Sequence, residues 1–381
     1  MSKTLQDYAT LINDTIQSNE INHYITTDNM CQNLGGIDTF KNINIPQGKV
    51  RSFQKDDVLL SNIRLYFRKV YRAKQKGGCS SDVLVFRAKH IDSATLFAIL
   101  SSQIFTDYAC SGSQGSKMPR GNKTHMMDFK IPTINFTIAK IFNSIQNKIE
   151  NNHKINELLH KILELLYEQY FVRFDFLDEN NKPYQTSGGK MKFSKELNRL
   201  IPSGWSVRFL NHKIVSTYQP KTISKTLLND SYSYSVYGGG GIIGRFTEYN
   251  HEQSEFIISC RGQCGISYLT LPKSWITGNA MVIRPTKSYT SKTYLYHTIK
   301  KYKLTNYITG SVQPQITRQN LSTMPILIPK RKTLNKWNNI SSLLWNLIHN
   351  NMQSTQTLTA LRDFLLPLLL KQQVKPKQKI L

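Results

Sequence analysis

Gly239, Gly241 and Gly244 stand at GxGxxG spacing inside the run YGGGGIIGRFT, residues 237–247. Such spacing can cradle a pyrophosphate, but only when a strand precedes it, a helix follows it directly and an acidic residue lies about 20 positions on to hold the ribose. The next residues, RFTEYNHEQSEF, lack helical apolar spacing, and the later position falls among Cys264, Gly265 and Ile266. No Gly-Lys-Ser/Thr closes the run as a P-loop would require. The competing expectation is a glycine-rich turn between short strands, where glycine supplies positive φ and close backbone approach.

Other reactive constellations are absent from the sequence. Neither Asn-Pro-Pro-aromatic nor Asp-Pro-Pro-aromatic occurs, as an adenine methyltransferase site would need, and HExxH and GxSxG are missing too. Asp and Glu are sparse and scattered, so no ligand cluster for a metal-dependent nuclease is visible. Cys31, Cys79, Cys110, Cys260 and Cys264 form no CxxC pair, which predicts reduced thiols rather than a zinc or redox site. The chain reads as non-catalytic.

Its basic residues are the more informative chemistry. Lys and Arg number 50 against 24 Asp and Glu, a formal charge of +26. An excess of that size points to a polyanion, nucleic acid above all. Arg64, Arg68, Arg72, Arg120, Arg261 and Arg318 are the first candidates, because arginine can grip a guanine edge bidentately or clamp a phosphate. Gln315 and Asn320 are candidates for adenine, and Lys117, Tyr237, Gly239 and Arg245 complete the expected DNA-binding set. No metal site is expected. The N-terminus lacks an apolar signal core and the longest apolar run, FLLPLLL at 364–370, is too short for a bilayer; a soluble cytoplasmic protein is expected.

The elements that must position these residues come twice. VLLSNIR (58–64), CSSDVLVFR (79–87), FTDYACSGSQGSKMPRGN (105–122) and KIP (130–132) are followed in the same order by FIISCRG (256–262), TGNAMVIR (277–284), LTNYITGSVQPQITRQN (304–320) and LIP (327–329). Ser61 pairs with Ser259 and Arg120 with Arg318 at an offset of 198, Tyr108 with Tyr307 at 199. That order reads as a tandem duplication.

Each copy has short β-like runs and then a helical stretch. The first stretch spaces Ile138, Phe142, Ile145, Ile149, Asn152, Ile155, Leu159, Ile162 and Leu166 by threes and fours, a coiled-coil seam with a polar Asn in the middle. The second carries Trp337, Ile340, Leu344, Leu347, Leu358, Leu361 and Leu365, and Pro367 is expected to interrupt it. The two seams most simply bury each other. DENNKPYQTSGGKMK (178–192) reads as a linker, and two similar domains on a spacer suggest a reader of two separated half-sites.

GSQGSKMPRGN before KIP, the join at 174–205, and YGGGGIIGRF followed by ISCRGQCG and ITGNAMVIRP together make the chain resemble the specificity (S) subunits of type I restriction-modification enzymes over nearly its whole length. The resemblance implies an α+β fold with two pseudo-repeated target-recognition domains, at 1–133 and 201–330. Two long spacer helices, at 134–176 and 331–373, would pack as an antiparallel coiled coil; a linker at 177–200 and a basic tail at 374–381 complete the chain. Ile145, Ile149, Leu159, Ile162, Leu166, Leu344, Leu347 and Leu361 would form the coil and partner face. Each recognition domain would read one half of a bipartite double-stranded DNA target. Two modification subunits, carrying S-adenosylmethionine, would methylate adenine, and restriction subunits would use ATP and Mg; the chain itself would bind no cofactor. The alternative within that resemblance is a degenerate scaffold that binds the partners without specific DNA reading.

Overall fold

A computed structural model describes residues 3–38, 41, 43–131, 134–229, 232–262, 264–310 and 313–369. The expected basic tail and the boundary at Pro132 and Thr133 lie outside them. The chain divides into two compact units, Met1–Lys154 with Met352–Leu381, and Ile155–Asn351. The division cuts through both long helices, Phe136–Tyr167 and Arg331–Leu369, so half of each belongs to each unit.

In the first unit, strands β1 (Ala9–Ile12), β2 (Val58–Ser61), β3 (Val70–Arg72) and β4 (Val83–Ala88) form an antiparallel sheet in the order β1-β4-β2-β3. All four residues of β2 are buried, because both faces of the sheet are covered. Val58 and Leu60 join Phe86, Phe97, Phe105 and Phe142 in one cluster, while Leu59 joins Phe53, Val83 and Val85 in another. This is strand alternation with an apolar partner on each side, which is why VLLS is an unbroken apolar run.

The second unit repeats the plan. β5 (Val215–Tyr218), a hairpin of β6 (Tyr234–Gly238) and β7 (Gly241–Phe246), β8 (Phe256–Ser259), β9 (Ser267–Leu269), β10 (Trp275–Ile276) and β11 (Ala280–Pro285) follow in order, and the main sheet is β5-β11-β8-β9. Val58 pairs with Phe86 and Ser61 with Val83 in the first unit; Phe256 pairs with Ile283 and Ser259 with Ala280 in the second. A carboxylate just before the central strand meets an arginine in both: Asp57 with Arg87 at 2.8 Å and Glu255 with Arg284 at 2.6 Å.

The similar loops of the two units align differently from the sequence expectation. Asn122 caps the helix Lys123–Met127 and Thr317 caps Arg318–Ser322. The residue two before each cap, Arg120 or Gln315, makes the matching backbone bridges: Arg120 to Ile63 and Gln114, Gln315 to Arg261 and Thr309. Arg120 therefore corresponds to Gln315, not Arg318. The loop of the second unit is three residues shorter, a change that a single repeat offset hides.

The long helices run antiparallel within each unit. In the first, Asn135 N–H donates to the Leu369 carbonyl at 3.1 Å, Arg362 Nη1 to Gln146 Oε1 at 3.1 Å, and Asn152 Nδ2 to Thr355 Oγ1 at 3.2 Å. In the second, Asn351 Nδ2 donates to Asn156 Oδ1 at 2.9 Å. There His160 also packs on Trp345 and Tyr167 on Trp337. Ile145, Ile149 and Asn152 are buried as expected. Beyond Asn152 the seam moves one residue along, to Asn156, His160, Leu163 and Tyr167. Ile155, Ile162, Leu347 and Leu361 are exposed, and Leu159, Leu166 and Leu344 half-buried. The expected register fails because Asn156, His160, Tyr167, Trp337 and Trp345 share the seam there with only a few aliphatics such as Leu163 and Ile348.

Two further expectations change. Residues 177–200 hold a strand, Met191–Ser194, that pairs with Arg199–Pro202, so the segment is a folded connection rather than a plain linker. Helix geometry continues past Pro367 to Leu369, the last described residue, so the expected interruption is not seen among the described residues.

Acid sensitivity follows from the second unit's core. His297 is 3% exposed, and burial, reinforced by nearby Lys300, pushes its imidazole down to about 3. Burial, with Lys292 and His160 nearby, pushes His349 down to about 4. Both are held neutral when folded, whereas the unfolded chain protonates them near 6.5. Stability contributed by these groups is therefore present above about pH 6.5 and lost as pH falls, by up to ~1.4 kcal/mol per pH unit for each histidine. Denaturant melts between pH 7.5 and 4.5 should show it, and His297→Phe should flatten the slope.

Candidate nucleic-acid interface

The candidate residues separate into surface edges and internal struts. After β2 the chain turns at Arg64, whose φ of 50° is left-handed, and Arg64 Nη2 donates to the Lys117 carbonyl at 3.4 Å. Arg64 N–H donates to the Pro119 carbonyl at 2.9 Å, and residues 114 and 120 close the loop by paired backbone bonds. Lys117 and Arg120 are carried exposed at its rim, with Arg120 meeting Asp82 at 2.9 Å. The structure thus gathers Arg64, Lys117 and Arg120.

Arg68 and Arg72 are placed otherwise. Arg68 Nη2 donates to the Ser101 carbonyl at 2.8 Å, and burial lowers its pKa from the ordinary arginine value. Arg72 donates to Asn143 Oδ1 at 2.7 Å and meets Asp56 at 3.3 Å. Both tie the sheet to helices. In IRLYFRKVYRAK the arginines look equivalent, and only the fold shows which guanidiniums are already used.

In the second unit the corresponding edge holds Arg261 and Gln315, both exposed and bridged through their backbones. Arg318 is the exposed first residue of the next helix, and Asn320 spends its amide on the Tyr307 carbonyl at 3.0 Å. The glycine run meets this edge. Gly239 and Gly240 form the two-residue turn of hairpin β6–β7, with Gly238 opposite Gly241. No helix follows, so the run is the turn between strands and not a pyrophosphate cradle. A Cβ on Gly239 would come within 2.7 Å of the Arg261 carbonyl, so only glycine allows the hairpin to lie against the Arg261 loop.

Arg245, on β7, donates to the Ser233 carbonyl at 3.0 Å. Tyr237 is 3% exposed; its hydroxyl accepts from Leu271 N–H at 3.0 Å, and burial pushes its pKa up to about 12. It is a core residue of the hairpin's base rather than a surface contact, since its place on β6 faces Ile257 and Val282. Lys221 and Lys225, exposed on the loop before the hairpin, were passed over in the sequence because no motif marks them.

Other chemistry is little in evidence. No group of His, Cys, Asp and Glu able to hold a metal occurs among the described residues, and none of their helices is long and apolar enough to cross a membrane.

The family model for the type I restriction modification DNA specificity domain matches residues 202–362. The MjaIX type I restriction enzyme specificity subunit of Methanocaldococcus jannaschii is 21% identical over 310 residues, 71% of this chain and 67% of that protein. The crystal structure of a type I restriction-modification system S subunit from M. genitalium shares the fold. Its TM-score is 0.62 at 14% identity, covering 98% of this chain and 96% of that one. Specificity subunits of these systems are non-catalytic DNA-recognition subunits. Residues 202–362 of this α+β chain are thus similar to the type I restriction modification DNA specificity domain, and the chain as a whole shares its fold with an S subunit of such a system.

Proposed function

We propose that the chain reads a bipartite double-stranded DNA target, one half-site per unit, and directs adenine methylation and restriction by partner subunits. The observation that carries this reading is the repeated edge: the same strand order, the same carboxylate–arginine pair, and exposed basic residues at the edge beyond the central strand, Lys117 and Arg120 in the first unit and Arg261 in the second. A tandem duplication accounts for it, and the two long helices serve as an antiparallel coiled-coil spacer. S-adenosylmethionine, ATP and Mg belong to the partners in this reading, and the complex acts in the cytoplasm.

Apolar faces on the long helices support the partner assignment. Ile155, Leu158, Ile162, Leu165 and Leu343 are exposed in the second unit, and Ile141, Leu361 and Phe364 in the first. One face per unit suits two modification subunits, since uncovered apolar stripes of this kind mark interaction sites.

Long-read methylome sequencing of a methylation-free host tests the reading directly. Expression of the chain with its cognate modification subunit should add a bipartite motif with methyl-adenine in each half, absent from the modification subunit alone. No new motif from folded, associated proteins would favour the degenerate scaffold. Arg261→Ala should then cost about 1–3 kcal/mol on the cognate site and relax one position of one half-site if the side chain reads a base. A loss equal on all sequences, with the slope of log K against log salt reduced by about 0.9, would mark it as a phosphate contact.

A further inference from the structure

Hairpin β6–β7 has an unusual composition for its position. Glycine fills 238, 239, 240, 241 and 244, so most of the ribbon near its turn has no side chains. Gly241 has φ +98° and a Cβ at Gly240 would meet nothing within 4 Å. The register slips between Val236 and Tyr237, so that Val236 faces Gly244, Tyr237 faces Ile242, and Ile243 is left over. Such a bulge re-aims a side chain. Ile242 is 49% and Ile243 36% exposed.

Isolated exposed aliphatics need no explanation. Two neighbouring ones on a thin ribbon, beside exposed Arg261 and Gln315 and behind a loop bearing exposed Lys221 and Lys225, make an apolar point in a cationic surround. That combination suits DNA. The major groove, about 12 Å wide, admits a two-stranded β-ribbon, and the apolar feature it displays is the thymine C5-methyl group.

We propose that this hairpin enters the major groove of the half-site read by the second unit, and that Ile242 and Ile243 discriminate thymine there by contact with its methyl group. The surrounding cations hold the ribbon down by neutralising phosphates. This inference rests on the DNA-reading function proposed above and deepens it.

The test uses the full chain with its modification subunit and duplexes carrying the target found by methylome sequencing. Thymines of each half-site are replaced by deoxyuridine in turn, and binding is measured by fluorescence anisotropy at fixed salt. Deoxyuridine in the second unit's half-site should weaken the wild type roughly fourfold per contacted thymine, the size expected for one buried methyl group. The Ile242→Ala, Ile243→Ala double variant should bind the thymine duplex as weakly as the wild type binds the deoxyuridine one, with no further loss on replacement. Wild-type indifference to deoxyuridine, or a half-site without thymine, overturns the inference whatever the variant does. So does an equal deoxyuridine loss in wild type and variant. A 2-aminopurine signal that brightens on binding only when the isoleucines are present would also overturn it, in favour of a wedge between base steps. Absence of any bipartite target in the wild type would instead defeat the functional reading itself.

Discussion

Replacing Trp337 by Ala lowers the stability of the second unit by about 3–5 kcal/mol, the cost of emptying a large aromatic site that its surroundings cannot fill. Trp337 is 1% exposed. Phe171 and His297 meet its ring edge-on with centroids 5.5 and 5.3 Å away, Tyr167 at 5.9 Å and Tyr170 at 6.5 Å. Its indole N–H has no protein partner, so the loss is of packing rather than of a hydrogen bond. Trp337→Phe should consequently recover a good part of it. Denaturant melts of the two variants check this, and a loss below about 1 kcal/mol for the alanine variant would contradict the packing described. Because Trp337 holds the start of the second long helix to the end of the first, methylation should also become temperature-sensitive.

Charging the apolar helix face of the second unit should do the opposite: no loss of fold, but loss of the modification subunit seated on that face. Leu158 is 52% and Leu343 63% exposed. Leu158→Asp with Leu343→Asp should change stability by no more than about 0.5 kcal/mol each, as surface substitutions do. In a partner interface the same two carboxylates would be buried without counter-ions, at a cost of several kcal/mol apiece. The chain should therefore co-purify with one modification subunit rather than two, the one held by the unchanged face of the first unit. Light scattering of the mixture and thermal melting of the chain alone separate the two effects. Binding of two modification subunits by the doubly charged variant would place the partner elsewhere.

These two helices show where sequence reading succeeds and where it stops. Helix existence was legible, because apolar residues three and four apart persist over many turns. Burial of Ile145, Ile149 and Asn152 followed from the same spacing. The seam beyond Asn152 was not legible. Leu158 and Leu159, or Leu343 and Leu344, offer an apolar side chain on either of two faces, and periodicity cannot say which one a neighbour covers. The answer lies in Trp345, His160 and Asn156, residues that a pattern of aliphatics passes over, together with Trp337, which the spacing did include.

The sequence by itself determined that motif blocks recur in the same order in its two halves, that the chain is strongly basic, that it carries no recognisable catalytic string and that it resembles a specificity subunit. All of these are properties of order and composition, which need no coordinates. Tertiary structure alone decided which of the candidate arginines are exposed and which are built into the fold. Arg68 and Arg72 are spent on Ser101 and Asn143, whereas Lys117, Arg120 and Arg261 are exposed. It also decided that Gln315, not Arg318, is the counterpart of Arg120, and that Tyr237 is core while Ile242 is surface. The physical reason is common to all three: whether a side chain is exposed depends on what the rest of the chain packs against it, and that is fixed by long-range contacts which local spacing does not encode.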